Sequence, residues 1–439
     1  MNRISFACVL ALVAIPGLAG AQGFSVRRMA MGGVILGGRQ GGEGANVAYR
    51  ALPKTGHGLG SVSLPIGALQ LLGDPPSFDP RDSTFNVYRI ANLVENPPWN
   101  YAITQPTIPS SDVSLDVSSR SLSMNLGDLG RAFPAGHVRA YGEMGWPSVG
   151  FSVRRLFVNL SPLVEFENDL SLNDALTGVL RDGDSVTANR HYAVNDHGRA
   201  QAAAALNVGM AMPLAMFGDP RKGGSALYGG VRAKVLRGLA YGEADNVAAF
   251  DTGDSLFASQ SLDLRYTGRY LDAMPDGGGM GFGMDAGAVW TLGGLEVGLA
   301  MDDISTHIDW KVRETVASRD SVSGDLVQTT VREDMPYTST VPSTMVGNAA
   351  FRAGRWTLAA DVRRNELATT VHAGLERWLG PVAVRAGGGL DANQRTQLSG
   401  GLGIKMGALG LDLAVATNNR NIENERVVEL GAGLEVLHR

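Results

Sequence analysis

The chain offers almost no thiol chemistry. Its one cysteine, Cys8, stands among 439 residues, which excludes a disulfide framework and a cysteine-ligated metal site. Charge is scarce as well: Asp, Glu, Lys and Arg make up 18% of the sequence, against roughly 25% in soluble domains. The formal net charge is −5 and no basic stripe runs along the chain, which argues against nucleic acid as a partner. No stretch beyond the N-terminus holds the roughly 18 consecutive apolar residues of a spanning helix, so a helical membrane bundle is excluded.

Motifs for chemistry are missing too. The glycines of Gly37-Gly38-Arg39-Gln40-Gly41-Gly42-Glu43-Gly44 are followed by no Lys-Ser or Lys-Thr, and Glu43 repels phosphate. The cluster at 277–283 lacks dinucleotide spacing. His57, Ser63 and Asp74 lie close in sequence, but no nucleophile elbow surrounds the serine. His191, Asp196 and His197 match no metal-ligand spacing. Asp302, Asp303, His307 and Asp309 form a denser acidic group, read as a solvated strand end in preference to a Ca²⁺ site. No cofactor, metal or catalytic residue is expected, and the chain is not read as an enzyme.

What the sequence does have begins with an export signal. Asn2 and Arg3 precede an apolar run, Pro16 and Gly17 break it, and Ala19-Gly20-Ala21 offers a small-x-small cleavage site. Residues 1–21 are therefore expected to be a signal peptide, with the mature chain starting at Gln22. Glycine is abundant, 58 residues, or about 13% against a usual 7%. That suits sheets whose bends and close backbone contacts favour a missing side chain.

The main signal has a period of two. Met280, Phe282, Met284, Ala286, Ala288, Trp290 and Leu292 alternate with Gly281, Gly283, Asp285, Gly287, Val289 and Thr291. Leu295, Val297, Leu299 and Met301 alternate with Glu296, Gly298, Ala300 and Asp302 in the same way. A strand sends successive side chains to opposite faces, so each run has one greasy face and one polar or tiny face. The C-terminal third is almost all such runs, joined by short connections such as Leu379-Gly380-Pro381, so neighbours are expected to be antiparallel. Further strands are expected at 118–126, 137–144, 148–159, 201–212, 226–237, 261–271, 305–315 and 328–333. The total is about fourteen, within the range of single-chain membrane barrels.

A soluble sandwich also alternates, with its greasy face inward. Three features favour a transmembrane antiparallel β-barrel: runs of up to about thirteen residues against the usual five or six, a polar face mixing glycine with isolated charges, and Trp356 and Trp378 at strand ends, where an interfacial girdle stands. The greasy faces then meet outer-membrane lipid. The inward faces carry Glu296, Asp361, Arg363, Glu376, Arg385, Lys405, Asp412, Glu429 and Glu435. These charges either line a passage or fill the lumen with ion pairs. Helices are expected at 84–94 and at 172–180, the latter capped by Ser171. Both fall in long insertions, 71–117 and 160–200, read as loops beyond the membrane that could dock a secretion or envelope partner.

Several segments resemble a known group. Ser25-Val26-Arg27-Arg28-Met29-Ala30-Met31-Gly32-Gly33 resembles the mature N-terminus of outer-membrane barrels of the long-chain fatty-acid transporter (FadL) type, in the branch of PorV-like and TraF-like proteins. The segment 226–240 with Tyr241, the run 295–304 and the run 356–362 are similar to strands of the same group. The resemblance implies a barrel of roughly fourteen strands whose lumen is plugged by an N-terminal segment, here about Gln22–Leu52, with Arg27, Arg28, Met29 and Met31 in the plug. It divides the chain into a signal (1–21), a plug (22–55) and a barrel (56–439). It implies transport of small, hydrophobic cargo, although no fatty-acid-binding constellation matches. The alternative is a structural component of a secretion or conjugal-transfer apparatus.

Overall fold

The computed structural model describes residues 25–36, 44–53, 60–64, 66–67, 69–70, 101–105, 114–117, 122–125, 137–143, 149–179, 184–218, 224–254, 262–273, 278–320, 325–390, 396–418 and 426–436. The expected signal peptide, the glycine run 37–43, the helix at 84–94, His57 and Asp74 lie outside them. Among the described residues the strands are β1 (Gly60–Leu64), β2 (Tyr101–Gln105), β3 (Ser114–Val117), β4 (Leu122–Asn125), β5 (His137–Glu143), β6 (Val149–Val153), β7 (Leu156–Leu172), β8 (Ser185–Val186), β9 (His191–Phe217), β10 (Ser225–Thr252), β11 (Leu262–Ala273), β12 (Met280–Leu292), β13 (Leu295–Arg319), β14 (Leu326–Thr340), β15 (Thr344–Ala353), β16 (Trp356–Arg364), β17 (Thr369–Leu379), β18 (Val382–Leu390), β19 (Thr396–Met406), β20 (Leu409–Asn418) and β21 (Arg426–Val436).

Eighteen of these strands form one antiparallel sheet, while β3, β4 and β8 form a small one. The large sheet has fourteen lateral positions, because four of them are each filled by two strands end to end. Thus β5 and β6 pair with the two halves of β7. β11 and β12 share the place between β10 and β13. β14 and β15 share the far side of β13, and β2 and β1 share the edge of β21. The order runs β5/β6, β7, β9, β10, β11/β12, β13, β14/β15, β16, β17, β18, β19, β20, β21, β1/β2. Among the described residues no ladder joins the two ends of this order.

The curl of the sheet is fixed by what it encloses. A short helix, Val26–Ala30, touches β18, β19, β20 and β21, and a 3-10 turn, Val47–Ala51, touches β9, β10 and β12. One short segment reaches strands that far apart only if the sheet bends round it. The enclosed side chains are buried, whereas the opposite face exposes Leu299 at 68%, Leu398 at 62% and Leu413 at 43%. A sandwich would bury that face. A barrel in lipid exposes it, because a closed antiparallel sheet satisfies its own peptide groups without water. The all-β antiparallel barrel expected from the alternation is the fold observed, and β12 has the bounds its pattern gives.

One rim carries five two-residue turns. Arg154, Gly293, Gly354, Gly380 and Gly407 open them with φ of 57°, 55°, 58°, 63° and 66°, the left-handed backbone that tight hairpins require. Arg154 splits the run expected as one strand at 148–159 into β6 and β7. The other rim is uneven. β15 to β21 have between 9 and 11 residues, but β9, β10 and β13 have 27, 28 and 25. At roughly 3.3 Å per residue, β10 is about 90 Å long, far beyond a lipid-facing band of about 25 Å. β7, β9, β10, β11, β13 and β14 therefore stand as a tall extension on one side.

This corrects several expectations. Residues 160–200 are not mainly a loop: 160–172 and 194–206 pair with each other in the extension. The helix there is only Asp174–Thr177, and its cap is Asn173, whose side chain accepts from the Leu176 amide at 3.0 Å. Ser171 sits inside β7. The expected strand at 118–126 belongs, as β4, to the small sheet. The insertion 71–117 is described only at β2 and β3.

Candidate functional site

The N-terminal segment and the inward wall form one unit. Ser25 caps the short helix by accepting from the Arg28 amide at 3.4 Å. The helix ends because Gly32 and Gly33 take φ of 78° and 82°, letting the Gly33 amide donate back to the Arg28 carbonyl at 2.8 Å. The chain then runs extended through Val34, Ile35 and Leu36, all buried. Burying side chains of this size contributes roughly 1.5–3 kcal/mol each.

Glycines in the wall make the seat. A Cβ on Gly387 would meet the Met31 carbonyl carbon at 2.1 Å, and one on Gly374 would meet the Met31 oxygen at 2.4 Å. One on Gly401 would meet the Ala30 Cβ at 2.6 Å. These lie on β17, β18 and β19, so the missing side chains leave a groove for the 30–32 backbone. A second seat lies across the lumen on β10, β12 and β13. There a Cβ on Gly230 would meet the Ala48 amide at 2.9 Å, and one on Gly287 would meet the Asn46 side chain at 2.2 Å. Asn46 donates to the carbonyls of Ala288 at 3.1 Å and Leu299 at 3.2 Å, and accepts from the Ala48 amide at 3.0 Å. Tyr49 is fully buried, with Ile35, Val289 and Val346 in its cluster, and accepts a hydrogen bond from Asn348. The Arg50 guanidinium lies 4.2 Å over the Phe157 ring.

Polar clamps complete the unit. Arg27 makes a two-pronged contact with Glu376, Nε to Oε2 at 2.8 Å and Nη2 to Oε1 at 2.6 Å. Glu376 is fully buried and also accepts from Arg385 Nε at 2.8 Å and Trp378 Nε1 at 3.1 Å. Arg385 continues to Asp412 at 2.6 Å. Asp361 accepts from the Ile35 amide at 2.5 Å and contacts His372 Nδ1 at 2.8 Å. Ser399 accepts from the Gly32 amide at 2.7 Å. Fork-shaped guanidinium–carboxylate pairs are the strongest of these contacts, and they also fix orientation.

Of the residues singled out in the sequence, Arg27, Glu376, Arg385 and Asp412 form one chain of contacts. Met31 sits fully buried in the first glycine seat, and Met29 packs near Ala414. Arg28 turns back on its own loop, donating to the carbonyls of Val34 at 3.1 Å and Gly33 at 3.0 Å. Arg363 follows Asp361 on the inward face of β16. Glu296 is buried and bonded to Arg352, Glu429 is buried, and Lys405 lies 4.1 Å over the Trp378 ring at the rim. Glu435 is described by its backbone alone, paired with Ser61 and Gly410. Trp378 corrects the girdle expectation: it shares the inward face with Glu376, while Trp356 is outward with Arg377 4.6 Å over its ring. Asn46 and Tyr49 carry no periodic signal, being single polar residues in a short N-terminal stretch; His372 and Ser399 fall on the inward faces that the alternation gives β17 and β19.

Above the plug the inward wall changes character. Trp310 donates to Ser339 at 2.8 Å, Ser339 to Gln201 at 2.7 Å, and Gln201 to Glu165 at 2.7 Å. Lys234 bridges Asp285 at 2.8 Å and Asp303 at 2.7 Å. A row of alternating charge crosses the extension. His197 meets Asp245 at 2.6 Å, Arg269 meets Glu314 at 2.6 Å, and Arg332 stands 3.6 Å from the same carboxylate. Partial burial pulls the His197 imidazole down, but the bond to Asp245 and the surrounding carboxylates outweigh it, so its pKa lies above the usual 6.5. The Arg269 hydrogen bond holds Glu314 below its ordinary value. His191 faces Asp251 and not His197. Among the described residues no group of three or more His, Cys, Asp or Glu could hold a metal ion.

No curated protein matches the chain. Of the solved structures, the Pseudomonas putida toluene transporter TodX is similar at 10% identity, covering 73% of this chain and 95% of its own, with a TM-score of 0.28. A triple mutant of the Rhodopseudomonas blastica porin is similar at 11% identity over 63% and 99%, with a TM-score of 0.20. The translocation pore of the P pilus usher PapC is similar at 8% identity over 69% and 95%, with a TM-score of 0.19. The model of a family of unknown function, DUF5723, matches residues 133–404. That span covers more than half of the sequence, from the strands at one edge of the sheet into β19, and the chain belongs to this family.

Proposed function

We propose that the protein is an outer-membrane β-barrel, exported by the signal at 1–21, that acts as a plugged channel or transporter for small molecules. The observation that carries this reading is the N-terminal segment seated across the lumen on two glycine grooves and clamped by Arg27 to Glu376. A barrel built only as a scaffold needs no separate segment bonded so specifically to its inside. The outward belt of exposed Leu, Val and Met supports the membrane setting. The buried charges support a plug: they are paired with it or with one another, and so hold it in register without lining an open aqueous pore. The resemblance to fatty-acid transporters of the FadL type supports hydrophobic cargo.

Conductance in planar bilayers and swelling of liposomes test this. The intact chain is expected to conduct poorly, and the double variant Arg27→Ala, Gly387→Val to conduct clearly while still behaving as a folded barrel on unheated gels. Equal, high conductance by both would remove the plug from the mechanism.

A second reading is favoured by the tall extension, whose β14 has residues 326–334 exposed on both faces. An assembly component uses such a sheet to dock an envelope partner by strand addition. Shortening β9 and β10 beyond residues 203 and 240 would then abolish co-purification of the partner and leave conductance unchanged.

A further inference from the structure

The outward wall carries a cavity of about 820 Å³, a size that holds a drug-sized molecule. The ladders place Met210, Val231, Ala286, Met301, Met345 and Arg364 in one row across six strands. The neighbouring row holds Gly229, Leu299, Gly347 and Val362. Small residues at Gly229, Ala286 and Gly347 leave a furrow between these larger side chains. With strands about 4.8 Å apart, five steps span about 24 Å, longer than half of a hydrocarbon core of about 30 Å. Four methionines, Met210, Met212, Met301 and Met345, line it. Their unbranched, polarizable chains adapt to an irregular apolar guest.

The furrow has one charged lining residue, Arg364, the last residue of β16. It projects outward in step with Val362 and has no acidic partner among the described residues. It stands where the apolar belt gives way to polar extension, the level of lipid head groups. A guanidinium there recognises phosphate through paired N–H groups. The furrow's floor is also thin. Gly230 and Gly287 belong to it, and their inner sides touch Ala48 and Asn46 of the plug.

We infer that this furrow is a binding site for one anionic membrane lipid, with an acyl chain along the methionines and the phosphate on Arg364. The inference rests on the membrane-barrel reading above. It adds a ligand on the outer face, back to back with the seat of Asn46–Ala48.

The test uses the full chain in phosphatidylcholine vesicles with a minor share of phosphatidylglycerol. The protein is extracted in mild detergent and its retained lipid is counted by native mass spectrometry. Retention of one phosphatidylglycerol per chain, enriched over its share in the vesicles, is expected. Arg364→Gln should lower that enrichment roughly tenfold, the loss of one charge-assisted contact. Gly347→Leu fills the furrow and should lower retention of both lipids while leaving Arg364 in place. Unheated gel mobility checks that each variant is a folded barrel. Phosphatidylglycerol retained only in proportion to its share, or retained equally by both variants, overturns the site. Failure of the unmodified chain to enter vesicles overturns the barrel reading itself, so the two failures are told apart.

Discussion

Strand β16 has 9 residues and β10 has 28, and both start from the same rim. Within the belt both send Leu, Val or Trp outward, while the inward positions hold a mixture, Thr357, Ala359 and Asp361 on β16 and Tyr228, Gly230 and Arg232 on β10. Above the belt β10 continues with Glu243, Asp245 and Asn246, while its neighbours present His197 and Arg269. The short-strand wall is held by what it encloses; the tall wall is held by its own apolar clusters around Leu236 and Trp310 and around Tyr192, with cross-strand polar pairs such as His197–Asp245 at its exposed positions. A lost contact should therefore cost more at the plug than in the extension, because a buried charge has no solvent to fall back on.

The sharpest way to break this contrast is Glu376→Ala. It takes from Arg27 and Arg385 the buried carboxylate they share and should destabilise the plugged barrel by roughly 3–5 kcal/mol, read as a lower unfolding midpoint. Gly387→Val should follow at roughly 1–3 kcal/mol, the usual cost of overpacking, because its Cβ meets the Met31 backbone. Protease accessibility of the N-terminal segment should rise, with the barrel still heat-modifiable. Asn46→Ala leaves the carbonyls of Ala288 and Leu299 without their donor and should cost roughly 1–3 kcal/mol; amide exchange at residues 46–52 reads it. An unchanged rate there would show that the second seat contributes nothing.

The smallest effect belongs to the extension and depends on pH. The folded pKa of His197 lies above the 6.5 of the free side chain. Its stabilisation is fully present below pH 6.5 and is lost as pH rises through the folded value. Both partners are 44% exposed, so solvent screening keeps the gain below about 1 kcal/mol. Amide protection in 191–200 and 240–250, corrected for the intrinsic base-catalysed rate, should fall modestly between pH 6 and 8, and His197→Gln should erase that fall. A change of several kcal/mol would mean that the His197–Asp245 pair is buried and would undo the comparison.

The same contrast explains what could be read from the residues alone. Met280–Leu292 was legible because one face meets apolar surroundings and the other does not, which is what writes a period of two into a strand. His191–Ala200 reads His-Tyr-Ala-Val-Asn-Asp-His-Gly-Arg-Ala, with polar residues on both faces, so a paired strand looks like a loop. Trp378 misled through its position at a strand end; its parity with Glu376 already placed it inward. The charges Arg27, Glu376, Arg385 and Asp412 could each be named, but their joining into one chain depends on where the plug lies, and no spacing encodes that. The glycine seats were half legible: Gly374, Gly387 and Gly401 fall on inward positions, yet only the enclosed backbone shows why a side chain is forbidden there.

The two glycine seats also constrain the order of assembly. A segment gripped from opposite walls, with no clearance even for a methyl group, cannot be fed sideways into a finished cylinder. It serves as a mandrel: residues 25–36 and 46–52 are expected to be in place while the strands are wound about them. The barrel's girth is then set by the thickness of the segment it encloses.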